Sequence, residues 1–139
     1  MLTQNMQDVI AVRLDKGEEI TESLLAVCRK YDVTCAKIDG IGTTQGARVC
    51  LFDTAQKQFH ETYLPQFLEM TNLCGSVTQQ DGQPYLHLHI TLADENAHAF
   101  GGHLKSATVG ATAELFLTVL SGNIQRTFDE ETGLNLFTW

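Results

Sequence analysis

The chain has 139 residues and a mass of 15.4 kDa, the size of one domain able to bury a real hydrophobic core. It is 43% hydrophobic and 19% charged, which excludes a disordered tail and a membrane-embedded chain. Asp and Glu number 17 against 9 Lys and Arg, for a formal net charge of -8, and that balance opposes non-specific attraction to nucleic-acid phosphates or anionic lipid.

Met1 to Asp8 carries no basic region, apolar stretch or small-residue cleavage site. The apolar runs fall far short of the roughly 20 residues that cross a bilayer. A cytoplasmic location is therefore expected, with Cys28, Cys35, Cys50 and Cys74 kept as reduced core thiols. No linker or internal repeat divides residues 1–139, so they read as one domain.

Val9 to Leu14 is short and β-branched and predicts an opening strand that ends at Gly17. Glu18, Glu19 and Glu22 then place negative charge where a helix N-terminus favours it. Ile20, Leu24, Val27, Cys28 and Tyr31 share one helical face, and Arg29 and Lys30 close the helix with positive charge. Val33 to Ile38 reads as a strand and Gly40-Ile41-Gly42 as a backbone-led turn.

Val49 to Phe52 and Phe59 to Tyr63 predict two strands joined across Asp53 to Gln58. Phe67 to Val77 reads as a bent or bulged strand, and Gln80 to Pro84 as a hairpin turn. Tyr85 to Leu92 alternates cleanly, and Ala113 to Leu120 is a further apolar strand. The end, Leu134 to Trp139, is apolar enough to be either the last core strand or an interface. Many strands on short turns with one good helix and few short ones predict an α+β fold on a largely antiparallel sheet.

Four of the five histidines lie between positions 87 and 103. In Tyr85 to Leu92 the period of two puts Leu86, Leu88, Ile90 and Leu92 on one face and Tyr85, His87, His89 and Thr91 on the other. Imidazoles at i and i+2 on a strand stand roughly 7 Å apart at Cα and point the same way. His103, preceded by Gly101 and Gly102, is the best third ligand, because residues without Cβ let the backbone approach a neighbour closely. Three imidazoles with an open position suit zinc or another divalent metal. Spacing alone also allows histidines that only hydrogen-bond to neighbours. His98 is the reserve fourth ligand, but it sits in the polar segment Asp94 to His98 and reads more readily as exposed.

Glu69 and Glu114 lie among apolar residues, as a general base or ligand-orienting carboxylate would, or as solvent-facing acids commonly do. Arg13 is a candidate anion clamp or a cross-sheet ion-pair partner. No phosphate-binding Gly-rich loop, nucleophile elbow or His-Glu-x-x-His motif occurs.

His87-Leu88-His89-Ile90-Thr91-Leu92-Ala93-Asp94, then Gly101-Gly102-His103-Leu104 and Ala113-Glu114-Leu115, resemble the signature of the PPC (plant and prokaryote conserved) domain. Val12-Arg13-Leu14, Gly17-Glu18 and Ile38 to Gly42 are similar to its N-terminal half. Glu69 to Gly75 and Arg126 to Leu134 are similar to its later pattern. The resemblance covers nearly the whole chain and implies a stand-alone PPC domain: a twisted antiparallel sheet with α+β architecture, assembling as a homotrimer.

It also implies a metal held at His87, His89 and His103, and a fold similar to that of acetolactate decarboxylase, which uses a three-histidine zinc site. Prokaryotic members carry a DNA-binding designation from the plant proteins, where a separate AT-hook makes the minor-groove contact. This chain has no Arg-Gly-Arg core of that kind, and its basic residues are scattered. Two functions follow as expectations. One is a trimeric binding or regulatory module reaching DNA through protein partners. The other is a zinc-dependent enzyme acting on a small carbonyl or carboxylate compound, with Glu69 or Glu114 as base and Arg13 as anion clamp.

Overall fold

A computed structural model describes residues 1–139 as eight strands and one helix. The strands are β1 (Leu2–Met6), β2 (Val9–Asp15), β3 (Ala36–Asp53), β4 (Gln58–Gln80), β5 (Gln83–Ala93), β6 (Ala99–Val119), β7 (Gln125–Asp129) and β8 (Leu134–Thr138), and α1 spans Ile20–Lys30 between β2 and β3. All pairings are antiparallel except one parallel bridge between β4 and β7. Long strands allow each of β3, β4 and β6 to pair on both edges. Because β3 pairs with β4 and β6, and β5 bridges β4 and β6, these four close into a ring. β2 and β1 extend the sheet from the far half of β6, and the β7–β8 hairpin attaches at the end of β4.

The expected helix forms at the expected place. Glu19 is its N-cap, and one carboxylate oxygen accepts the Glu22 N–H at 2.7 Å while the other accepts the Ala107 N–H at 2.8 Å. The cap thereby ties the first turn of α1 to β6. Ile20, Leu24, Val27 and Cys28 are buried, so α1 lays its apolar face into the same core as Leu88, Ile90 and Leu92 of β5.

Two expectations are corrected and one open alternative is decided. Gly40-Ile41-Gly42 is no turn but lies within β3, where the register against β4 and β6 shifts. Glycines there serve close packing rather than reversal: a Cβ on Gly40 would stand 2.6 Å from the Glu114 carbonyl oxygen. The strand expected from Ala113 begins at Ala99 and takes in His103. Of the two readings of the C-terminal end, the core strand fails: β8 forms, but its Leu136 and Phe137 are 42% and 45% exposed. No helix is long and apolar enough to cross a membrane.

Candidate metal centre

The alternation of β5 decides which side chains leave the core. Leu88, Ile90 and Leu92 are at most 1% exposed, while His87 and His89 project from the opposite face. Sheet register then supplies the third imidazole. His89 lies directly opposite His103 on β6, and His103 is in turn opposite Cys50 on β3. Side chains directly opposite one another point to the same face, and His87 joins the row two residues earlier along β5.

Close backbone approach sustains this row. Gly102 pairs with Ile90, and a Cβ on it would lie 2.8 Å from the Cys50 carbonyl oxygen, so any other residue would push β6 away from β3. Gly75 on β4 is more confined still. A Cβ there would stand 2.0 Å from the His87 carbonyl oxygen.

The outcome is three imidazoles whose ring centroids are 4.9 Å (His87–His103), 5.4 Å (His87–His89) and 5.5 Å (His89–His103) apart. One ligand nitrogen from each lies within 4.8 Å of the other two. Burial lowers the pKa of His87, and the nearby Arg126 and His89 lower it further. Burial, reinforced by His87, His89 and Arg126, holds His103 down at about 4. Both rings are therefore neutral near pH 7, the state in which a ring nitrogen has a lone pair to offer a metal. The donor set, three imidazoles with no carboxylate or thiolate among them, fits a divalent ion bound by nitrogens at about 2.0–2.1 Å.

A cavity of about 230 Å³ opens beside the cluster. Phe52 and Phe59 of the β3–β4 hairpin wall one side, Tyr85 and Arg126 another, and Leu134 and Leu136 of β8 a third. Arg126 was visible in the sequence only as part of the closing family pattern, and nothing in its local spacing marked it as a site residue. Parallel pairing of β7 beside β4 brings it in, and its Nη2 reaches within 3.5 Å of Nδ1 of His87.

The other candidate residues lie elsewhere. Glu69 is exposed on β4 opposite Ala93, four residues along β5 from His89. Glu114 is exposed eleven residues beyond His103 on β6 and lies opposite Arg13 of β2. Arg13 pairs with Asp15 at 3.0 Å, and Arg13 and Glu114 line a shallow groove distinct from the histidine cavity. His98 is exposed and 3.2 Å from Asp94.

Fold and site together define a class: a strand-dominated protein with a three-imidazole cluster beside a small cavity on the outer face of its sheet. A sequence comparison sharpens this. The chain belongs to the Plants and Prokaryotes Conserved (PCC) domain family, whose profile matches residues 1–121. It is similar over 99% of its length to 96% of a putative DNA-binding protein from Bacteroides thetaiotaomicron, at 28% identity and a TM-score of 0.95. It is similar over 100% of its length to 99% of a metal-containing protein from Archaeoglobus fulgidus, at 30% identity and a TM-score of 0.91. Its fold also matches acetolactate decarboxylase from Bacillus subtilis over 88% of this chain and 57% of that one, at 14% identity and a TM-score of 0.60. No curated protein sequence matches the chain.

Proposed function

We propose that the protein is a cytoplasmic, homotrimeric metalloprotein in which His87, His89 and His103 hold zinc and the adjoining cavity receives a small carbonyl or carboxylate compound. The observation that carries this reading is the convergence of three imidazoles within 4.8 Å beside a cavity of about 230 Å³. A cluster serving only the fold would be filled in by its neighbours; this one faces open space. The Archaeoglobus fulgidus relative, described as metal-containing, supports the same reading.

A zinc ion bound there supplies a Lewis acid, able to polarise a bound carbonyl or acidify a bound water. The chain's own contribution is threefold. Gly75 and Gly102 hold the strands close enough for the imidazoles to meet. Phe59, Leu134 and Leu136 give the cavity apolar walls, and burial keeps His87 and His103 neutral. Glu69 and Glu114 are too far along their strands to act as the base within the same subunit.

The trimer draws support from an outward face with no cover in the single chain. Ile41, Phe67 and Phe116, on β3, β4 and β6, are 58%, 51% and 45% exposed, and burying such a face against further copies is favourable. A second reading, a regulatory module associated with DNA, is favoured by the description of the Bacteroides thetaiotaomicron relative. A charge of -8 sets direct contact with a duplex against electrostatics, so such a role would pass through protein partners.

Elemental analysis of the purified chain after incubation with zinc tests the metal. One zinc per chain in the wild type and its loss in His89→Ala are expected; a zinc-free wild type contradicts the proposal. A gel shift with AT-rich duplex tests the second reading. Salt-sensitive retardation would favour direct DNA binding, and none is expected.

A further inference from the structure

Arg126 is 8% exposed, and nothing around it carries the opposite charge. Its Nε donates to Thr78 Oγ1 at 2.8 Å, Nη1 donates to the Asn135 carbonyl at 2.7 Å, and Nη2 lies 3.5 Å from His87 Nδ1. The guanidinium also lies against two rings, 4.7 Å from the centroid of Tyr85 and 4.5 Å from that of Phe137. Each of these partners is neutral, and none of the protein's ion pairs includes Arg126. A guanidinium stays charged in any protein environment. Burying it without a counter-ion is costly, and hydrogen bonds to neutral groups offset only part of that cost.

The cost is explicable if the counter-charge arrives with a ligand. Arg126 lines the same cavity as the three histidines. A guanidinium has five N–H donors, and the three contacts leave one N–H free on each terminal nitrogen. Two such donors match the two oxygens of a carboxylate. Tyr85, Asn135 and the three histidines give the cavity its other polar lining, while Phe52, Phe59, Leu134 and Leu136 are apolar. The apolar part of the lining suits a short apolar chain.

We infer that Arg126 is the anion anchor of the histidine cavity, binding the carboxylate of a small monocarboxylic acid whose short apolar portion lies against Phe59, Leu134 and Leu136. The inference rests on the cavity being the ligand site of a metal centre, and it assigns the ligand's charge and the residue that reads it. Arg126 thereby selects carboxylates over neutral carbonyl compounds of the same shape.

Butyrate and its neutral isostere butyramide are the probes, titrated into the zinc-loaded chain by calorimetry and by the Nε–Hε resonance of Arg126. Saturable butyrate binding is expected, moving the Arg126 resonance, with butyramide weaker by about ten-fold or more. Arg126→Gln should weaken butyrate to a similar extent while the zinc content measured by elemental analysis stays unchanged, and Arg126→Lys should fall between. Equal affinity for the two probes, or an Arg126→Gln variant that binds butyrate like the wild type, overturns the inference. Should Arg126→Gln fail to fold, an Arg126 resonance in the wild type that does not move with butyrate overturns it alone. Should the wild type take up no zinc, the metal reading fails separately. The same titration of the metal-free chain then decides for Arg126: a loss of butyrate binding in Arg126→Gln supports the anchor, and equal binding removes it.

Discussion

Gly75 lies under the histidine row, opposite Leu88 and in contact with the backbone of His87. Because a Cβ there would fall 2.0 Å from a carbonyl oxygen, no rotamer change can relieve the clash, and β4 must move away from β5. Gly75→Val is expected to destabilise the fold by about 1–3 kcal/mol and to weaken zinc retention, read by chemical denaturation and by competition with a chelator. A variant of wild-type stability and affinity would mean that the strand spacing does not govern the site.

The cysteines separate at the same scale. All four are free, and Cys28 is 1% exposed, with burial raising its thiol to about 11. Burial also raises Cys50, whereas Cys74 is only half-buried. Since the thiolate is the reactive form, iodoacetamide is expected to label Cys74 of the folded protein well before Cys28 or Cys50. Mass spectrometry of a time course checks this, and early labelling of Cys28 would contradict the burial of α1.

Among the elements, those with a local signature were legible in the sequence. The face of Ile20, Leu24, Val27 and Cys28, with acids before it and bases after it, describes α1 as the structure has it. The strict alternation of Tyr85 to Leu92 separates core from outer face without reference to any neighbour. Leu24 is fully buried at the centre of the helical face, so Leu24→Ala should cost about 2–5 kcal/mol, measured as a shift of the denaturation midpoint. A cost under about 1 kcal/mol would show that α1 is loosely docked.

Elements that depend on partners were not legible. Glycines at 40 and 42 read as a turn because local chemistry cannot distinguish reversal from a strand whose neighbour passes too close for a Cβ. The first half of β6 holds Gly101, Gly102 and Lys105, a poor strand by propensity, and is held as one by β5 and β3 on its two edges. The site divides in the same way. His87 and His89 are neighbours by strand period alone, and the glycines before His103 hinted at its approach. Arg126 reaches the cluster only through the pairing of β7 with β4, a relation across 39 residues between it and His87 that no local pattern encodes.

For the molecule as a whole, the negative charge and the exposed apolar face point in different directions. Ile41, Phe67 and Phe116 call for cover, while a chain of net charge -8 repels its own copies over long range. The proposed trimer requires short-range apolar burial to outweigh a repulsion that physiological salt screens beyond a Debye length of about 8 Å. Sedimentation equilibrium at micromolar concentration is accordingly expected to return three times the 15.4 kDa chain mass. Phe116→Glu is expected to shift the population toward monomer. A wild type that sediments as a monomer contradicts the proposed trimer.

The central claim, that three histidines of one outer sheet face hold a metal ion, is tested most directly by zinc-edge X-ray absorption on the loaded protein. The account predicts three imidazole nitrogens at about 2.0–2.1 Å, with oxygen and no sulfur completing the shell. Sulfur at about 2.3 Å, the signature of Cys50 or Cys74 as ligand, or a shell without the imidazole pattern, would contradict it.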